Sequence, residues 1–222
     1  MAPLALHRPS AALYQIHHYP TALIETRSLG PVGQLTLRPV LPQDDVLLAK
    51  LVSGLSPEAR RNRFHGRPAL PFAQLQGMCR VDPERQLALL ITAQVDGSEC
   101  LIADARYGVD DDRQGAEFAL MVSERWQRHG LGRWAIGALQ RAATRAGLLW
   151  LHGEVLKANA PMVALMQRCG FALSADADDE HLLHAERRLG QFVAESPPAP
   201  RGVVSWLRQV LPAARRRSGL AR

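Results

Sequence analysis

Lysine is almost missing from this chain: Lys50 and Lys157 are the only two in 222 residues, and arginine supplies the rest of the 27 basic side chains. Cysteine is nearly as scarce. Cys79, Cys100 and Cys169 are scattered and form no CxxC pair, which excludes a disulfide framework and leaves free thiols as the expectation. No His/Cys cluster has zinc spacing, and adjacent His17 and His18 would point to opposite faces of a strand, so no metal is expected. No apolar run approaches the ~20 residues that cross a bilayer. The first thirty residues hold His7, Arg8, Pro9, His17, His18, Pro20 and Glu25 in place of an unbroken apolar h-region. A cytoplasmic protein with no transmembrane segment is therefore expected. Its 47% hydrophobic content suffices for one sizeable core.

The formal charge of +6 is unevenly placed. Six arginines (201, 208, 215, 216, 217, 222) against Glu195 put +5 of it between Gln191 and Arg222. The basicity belongs to a tail, which argues against a specific nucleic-acid partner for the rest of the chain.

Residues 1–30, broken by Pro3, Pro9 and Pro20, read as an irregular arm. Gln34 to Pro39 alternates as a first strand. Asp44 and Asp45 are placed to cap a helix over Val46 to Val52, and Ser56-Pro57-Glu58 opens a short basic helix reaching Phe64. Another helix is expected after Pro71. Gln86 to Gln94 and Cys100 to Tyr107 read as strands joined by an Asp96-Gly97 turn, and Ala116 to Val122 as a fourth strand after a polar loop. A helix over 131–146, a strand over 149–156, a helix over 159–169 and a strand pair (171–175, 182–189) complete a domain spanning 31–190. Alternating strands and helices make this α/β or α+β with a mixed sheet. Residues 191–222 read as a Pro-containing basic tail, with one short amphipathic helix over Val203 to Leu211.

The segment with chemistry in it runs from 116 to 143. A strand leads into Gln127-Arg128-His129-Gly130-Leu131-Gly132, and a helix follows. Glycines let the backbone fold tightly and approach a ligand, and the first amides of a helix converge where its dipole adds positive potential. That is an anion site suited to a diphosphate, with Arg128, His129 and Arg133 adding charge. A dinucleotide fingerprint is an alternative for this loop: Ala135 stands at the third glycine position and Glu154 lies about twenty residues on. Against it, the loop follows a strand that comes after a hairpin, not the opening strand of a βαβ unit.

Gln127-x-x-Gly130-x-Gly132 between strand and helix resembles the acyl-CoA loop of the GNAT superfamily of N-acetyltransferases, and Asn159 opening a helix that closes at Gly170-Phe171 resembles its second cofactor segment. The likeness covers about residues 34–190. A narrower similarity, to the acetyltransferase domain of bacterial protein lysine acetyltransferases, rests on Tyr19-Pro20, Leu37-Arg38-Pro39, Ser56-Pro57-Glu58 with Arg63-Phe64, and Ala116-Glu117-Phe118. The resemblance implies the GNAT fold, a mixed, mostly antiparallel central sheet flanked by helices. It also implies acetyl-CoA as acyl donor, bound by residues 127–133, by the backbone of Leu120, Met121 and Val122, and by Asn159. The acceptor it implies is a protein lysine or a small amine. A non-catalytic acetyl-CoA-binding module is the alternative, and a homodimer is compatible with either.

An alkyl amine with pKa near 10.4 is neutral in only about one molecule per few thousand at pH 7, a deficit of roughly 4.6 kcal/mol. A positioned base relieves it. Glu117, a carboxylate inside an apolar strand, is the candidate, and the resemblance implies the same role. Many family members carry a tyrosine seven residues after the Asn to protonate the leaving thiolate. This chain has Met166, which has no proton to give.

Overall fold

The computed structural model describes residues 19–30, 33–64 and 70–190; the expected tail, its helix over Val203 to Leu211 and the His17-His18 pair lie outside them. Eight strands form one sheet: β1 (Glu25–Ser28), β2 (Gln34–Pro39), β3 (Gln86–Val95), β4 (Ser98–Val109), β5 (Gly115–Val122), β6 (Trp150–Leu156), β7 (Ala172–Ala175) and β8 (Leu182–Arg188). Their order is β1-β2-β3-β4-β5-β6-β8-β7. Every neighbouring pair is antiparallel except β5 and β6, which run parallel. Five helices flank the sheet: α1 (Asp45–Ser53), α2 (Pro57–Phe64), α3 (Phe72–Cys79), α4 (Leu131–Arg145) and α5 (Ala160–Arg168). The architecture is the expected mixed, mostly antiparallel sheet with helices on its faces. A doubly wound sheet, which the dinucleotide fingerprint needs, is not formed, because β4 enters β5 as an antiparallel partner.

The sheet has helices on both faces. Beneath α4 lie Leu35, Leu37, Leu89, Ile91, Ala116 and Phe118, while α1 and α3 cover Ala88, Leu90, Leu101 and Met121 on the other side. Burial on both faces explains why β3 reads as a nearly continuous apolar run in place of an alternating one. On α4, Trp134, Ala135, Ala138, Leu139 and Ala142 recur at helical spacing and are all buried against the sheet. At the β3–β4 hairpin, Asp96 and Gly97 both take positive φ (51° and 74°), as a type I′ turn requires.

Two local expectations change, and one buried ion pair joins them unforeseen. Residues 25–28 were expected to be irregular, yet they form the edge strand β1. The reason is long-range: Glu25 accepts from the Trp134 indole (2.7 Å) and from Arg141 (2.5 Å) on α4, and Arg27 lies 4.5 Å from the Trp134 ring centre. Asp44 does stand at the N-cap of α1, but its carboxylate makes no cap bond. It accepts instead from Arg38 (2.7 and 2.8 Å) and from the Leu41 amide (2.6 Å), because a bidentate guanidinium outcompetes a neutral amide. Ser56 meets expectation, its hydroxyl accepting from the Ala59 amide at 3.1 Å. Asp104 and Arg106 on β4 are fully buried, an ion pair of 2.6 Å beneath α3 whose guanidinium also donates to the Met78 carbonyl (2.9 Å). Nothing in the sequence sets that pair apart from surface charges.

Candidate active site

Between β5 and α4 the chain turns through Glu124–Trp126 and then through two left-handed residues, Arg128 (φ 64°) and Gly130 (φ 77°). Gly130 is the N-cap of α4 and offers no side-chain cap. Among the described residues, none of the backbone N–H groups of 128–133 donates to a protein acceptor. Such a bank of unengaged donors at a helix N-terminus is an anion cradle, and it fits a diphosphate. Two ties hold its shape: Gln127 Nε2 donates to the Val122 carbonyl (3.2 Å), and His129 Nδ1 lies 2.8 Å from the Gln127 carbonyl. Gly132 serves packing. A Cβ there would come within 2.9 Å of Leu165 and 3.5 Å of Leu120, so its absence lets α4 close on α5 and β5.

The second feature is an opening in the sheet. β5 and β6 are paired only over Gly115–Glu117 and Trp150–His152, after which they separate. From Phe118 to Val122, β5 is paired with β4 on one edge only; apart from the Val122 carbonyl, tied to Gln127, the edge facing β6 keeps amides and carbonyls able to bind an extended ligand as a strand would. Gly153 lets the strands close at the apex of this opening: a Cβ there would stand 3.0 Å from the Phe118 carbonyl oxygen.

Cradle and opening belong to one cleft of about 1160 Å³. Its lining carries both signs of charge: Arg128 and Arg133 on the cradle and Arg168 on α5, and among the other lining residues Glu58, Asp110, Glu117, Glu124 and Glu154 with His152 and His184. Glu117 is half-buried on the last rung before the strands separate, paired with His152 across the parallel ladder. Arg63 on α2 shares this wall. Burial pushes its guanidinium down to about 10, opposed by the carboxylates of Asp104 and Glu117 and reinforced by Arg106.

The cleft gathers Glu117, Leu120, Met121, Val122, Gln127, Arg128, Gly130, Leu131, Gly132, Arg133 and Asn159, all singled out in the sequence. His129 is not among the lining residues; it turns back on the loop carbonyls and shapes the cradle instead. Asn159 caps α5, its Oδ1 accepting from the Met162 amide at 3.2 Å, and this leaves its amide nitrogen free for a ligand. Met166 is fully buried in the core beneath α4, so that position faces away from the cleft. Sequence reasoning missed His152, His184 and Arg63. Alternation on β6 and β8 marks the two histidines as facing away from the α4 side, but nothing local says that a cleft lies there.

Unengaged helix-N-terminal amides beside a parted β5–β6 edge make a cleft suited to an elongated anionic ligand. The chain matches the Acetyltransferase (GNAT) family over residues 53–171, and it belongs to that family, whose members are acyl-CoA-dependent N-acyltransferases. Among solved structures it is similar to the GNAT domain of S. lividans PAT, at TM-score 0.69 and 22% identity, covering 78% of this chain and 100% of that one. A GNAT-family acetyltransferase from Streptococcus pneumoniae matches at TM-score 0.56 and 19% identity, over 70% and 99% of the two chains. A ribosomal-protein alpha-N-acetyltransferase in complex with coenzyme A matches at 0.57 and 16%, over 74% and 98%. At these identities the likeness establishes the fold. Among the described residues no helix is long and apolar enough to cross a membrane.

Proposed function

We propose that this enzyme moves acetyl from acetyl-CoA to the side-chain amine of a protein lysine by direct attack, with Glu117 as general base. The observation carrying this reading is the place of Glu117, on the last β5–β6 rung, where the open edge that suits a pantetheine arm comes to its apex. Residues 128–133 and Arg133 would hold the diphosphate, the β5 backbone around Leu120–Val122 the arm and the thioester carbonyl, and the Asn159 amide the arm from the α5 side. A carboxylate there accepts the proton that the amine sheds as nitrogen attacks the thioester carbon. Backbone N–H groups on the open edge stabilise the oxyanion. Glu58, Asp110 and Glu154 around Glu117 favour a cationic acceptor, and a protein amine agrees with the S. lividans relative, itself a protein acetyltransferase. Because those carboxylates attract any cation, a small polyamine is the second reading. The reading places the protein in the cytoplasm, where its free thiols persist.

With Met166 in the core, that position supplies no proton to the departing sulfur. Incubation with acetyl-CoA and a bacterial proteome, followed by mass-spectrometric mapping of acetyl-lysines, tests the acceptor; acetylation of spermidine alone would favour the small-amine reading. Glu117→Gln is expected to keep acetyl-CoA affinity and lower kcat by roughly 10²- to 10⁴-fold. Unchanged turnover from pH 6 to 9 removes Glu117 from the role.

A further inference from the structure

His152 faces Glu117 across the β5–β6 ladder, and its Nε2 lies 2.8 Å from Asp110 Oδ2. Both side chains are only partly buried, at 27% and 28% exposure, and both line the cleft. The pair is built, not incidental. Asp110 is brought back over the start of β5 by a loop closed through its amide and the Gly115 carbonyl (3.0 Å). Gly115 then leaves it room: a Cβ at that position would stand 2.5 Å from Asp110 Oδ2 and 3.5 Å from His152 Cδ2. On its other side the imidazole stacks on His184, ring centres 5.8 Å apart at 25°. A carboxylate only accepts hydrogen bonds, so Nε2 carries the ring proton and the lone pair of the neutral imidazole lies on Nδ1.

Resting on the acetyl-transfer reading, we propose that His152 is a second proton acceptor of the reaction and that Asp110 is its positioning residue. An acceptor that arrives as an ammonium and leaves as an amide sheds two protons. Nδ1 of His152 takes the first: an N–H bond of the ammonium breaks, its electron pair stays on the amine nitrogen, and the imidazolium formed keeps its Nε2–H on Asp110. Glu117 takes the second as that pair forms the N–C bond and the C–S pair departs on sulfur. Both groups then return their protons to water. An imidazole suits the first step because its neutral form offers one in-plane lone pair while its other nitrogen keeps its proton on a fixed partner. The charged and titratable groups facing His152 are Asp110 from the loop, Glu117 from β5, and Glu186 and His184 from β8, with Arg63 across the cleft.

The test uses the full chain with acetyl-CoA and polylysine, reading thiol release from pH 6 to 9, with calorimetric acetyl-CoA affinity as a separate measurement. His152→Gln is expected to lower kcat about a hundredfold, to leave the acetyl-CoA Kd unchanged, and to change the shape of the pH profile of kcat. Asp110→Asn, a loop change that spares the strands, and Gly115→Ala, whose methyl occupies the carboxylate's place, are each expected to lower kcat about tenfold at unchanged Kd. A His152→Gln enzyme within twofold of wild type, or one whose loss lies in acetyl-CoA affinity, overturns this inference and leaves acetyl transfer standing. A wild-type chain that binds no acetyl-CoA or releases no thiol overturns both.

Discussion

Replacing Gly130 by alanine separates the backbone demand of the anion cradle from every steric one. Gly130 holds φ 77° at the N-cap of α4, and a Cβ built there meets nothing within 4 Å. Any cost is therefore conformational: the left-handed region costs an L-residue about 1–2 kcal/mol. The variant has two courses. It can keep the turn and lose that much stability, or it can relax to negative φ and swing the amides of 128–133 off their common focus. A hydrogen bond to a charged group contributes about 1.5–3 kcal/mol, so losing one raises the acetyl-CoA Kd roughly ten- to a hundredfold. Calorimetry with acetyl-CoA reads the second course and urea unfolding the first. Gly137→Ala in the middle of α4 is the control. There φ is ordinary, the new methyl would lie 3.4 Å from Arg141 Nη1, and alanine favours the helix by about 0.5–1 kcal/mol, so stability rises and affinity holds. A Gly130→Ala chain that matches wild type in both urea midpoint and Kd would refute the cradle argument.

Two further predictions concern stability. Asp104→Asn leaves the fully buried Arg106 without its carboxylate and close to the buried charge of Arg63, and should cost about 3–5 kcal/mol in urea unfolding. Replacing the pair together by Asp104→Leu and Arg106→Met should recover most of that but not all, because the Met78 carbonyl still loses its donor; a double variant no better than the single one contradicts the account. For Glu25, burial pushes the carboxyl up, but hydrogen bonds from Trp134 and Arg141 and the charges of Arg141 and Arg27 outweigh it and hold the group below the usual range. A depressed carboxylate stabilises above its unfolded pKa of about 4.3 and loses that contribution as pH falls through the lower folded value. Wild type should therefore melt above Glu25→Gln at pH 7 and converge with it under acid, and a gap independent of pH would contradict this.

How much of this was legible in residues alone follows from the range of the forces involved. The β3–β4 hairpin, the Ser56 cap, the glycine loop and the Asn159 cap are set by φ preferences and by hydrogen bonds between residues a few positions apart. Spacing reveals such features, and with them came the stretch of the cleft from Leu120 to Gly132. Long-range pairings were invisible. Glu25 finds Trp134 and Arg141 across more than a hundred residues, and that contact turned an expected arm into β1. Asp44 sits where a cap belongs, yet Arg38 takes its carboxylate.

By itself, then, the order of residues determined most of the strands and helices, a tight glycine turn before α4 and Glu117 as a candidate for a base, because each depends on neighbours along the chain. Only the tertiary structure decided that β5 and β6 part after Glu117, that Met166 points into the core, and that Asp110 reaches His152 over Gly115. Those outcomes depend on which strand edges meet and which faces are covered, and a packed sheet settles them through contacts that no local pattern encodes.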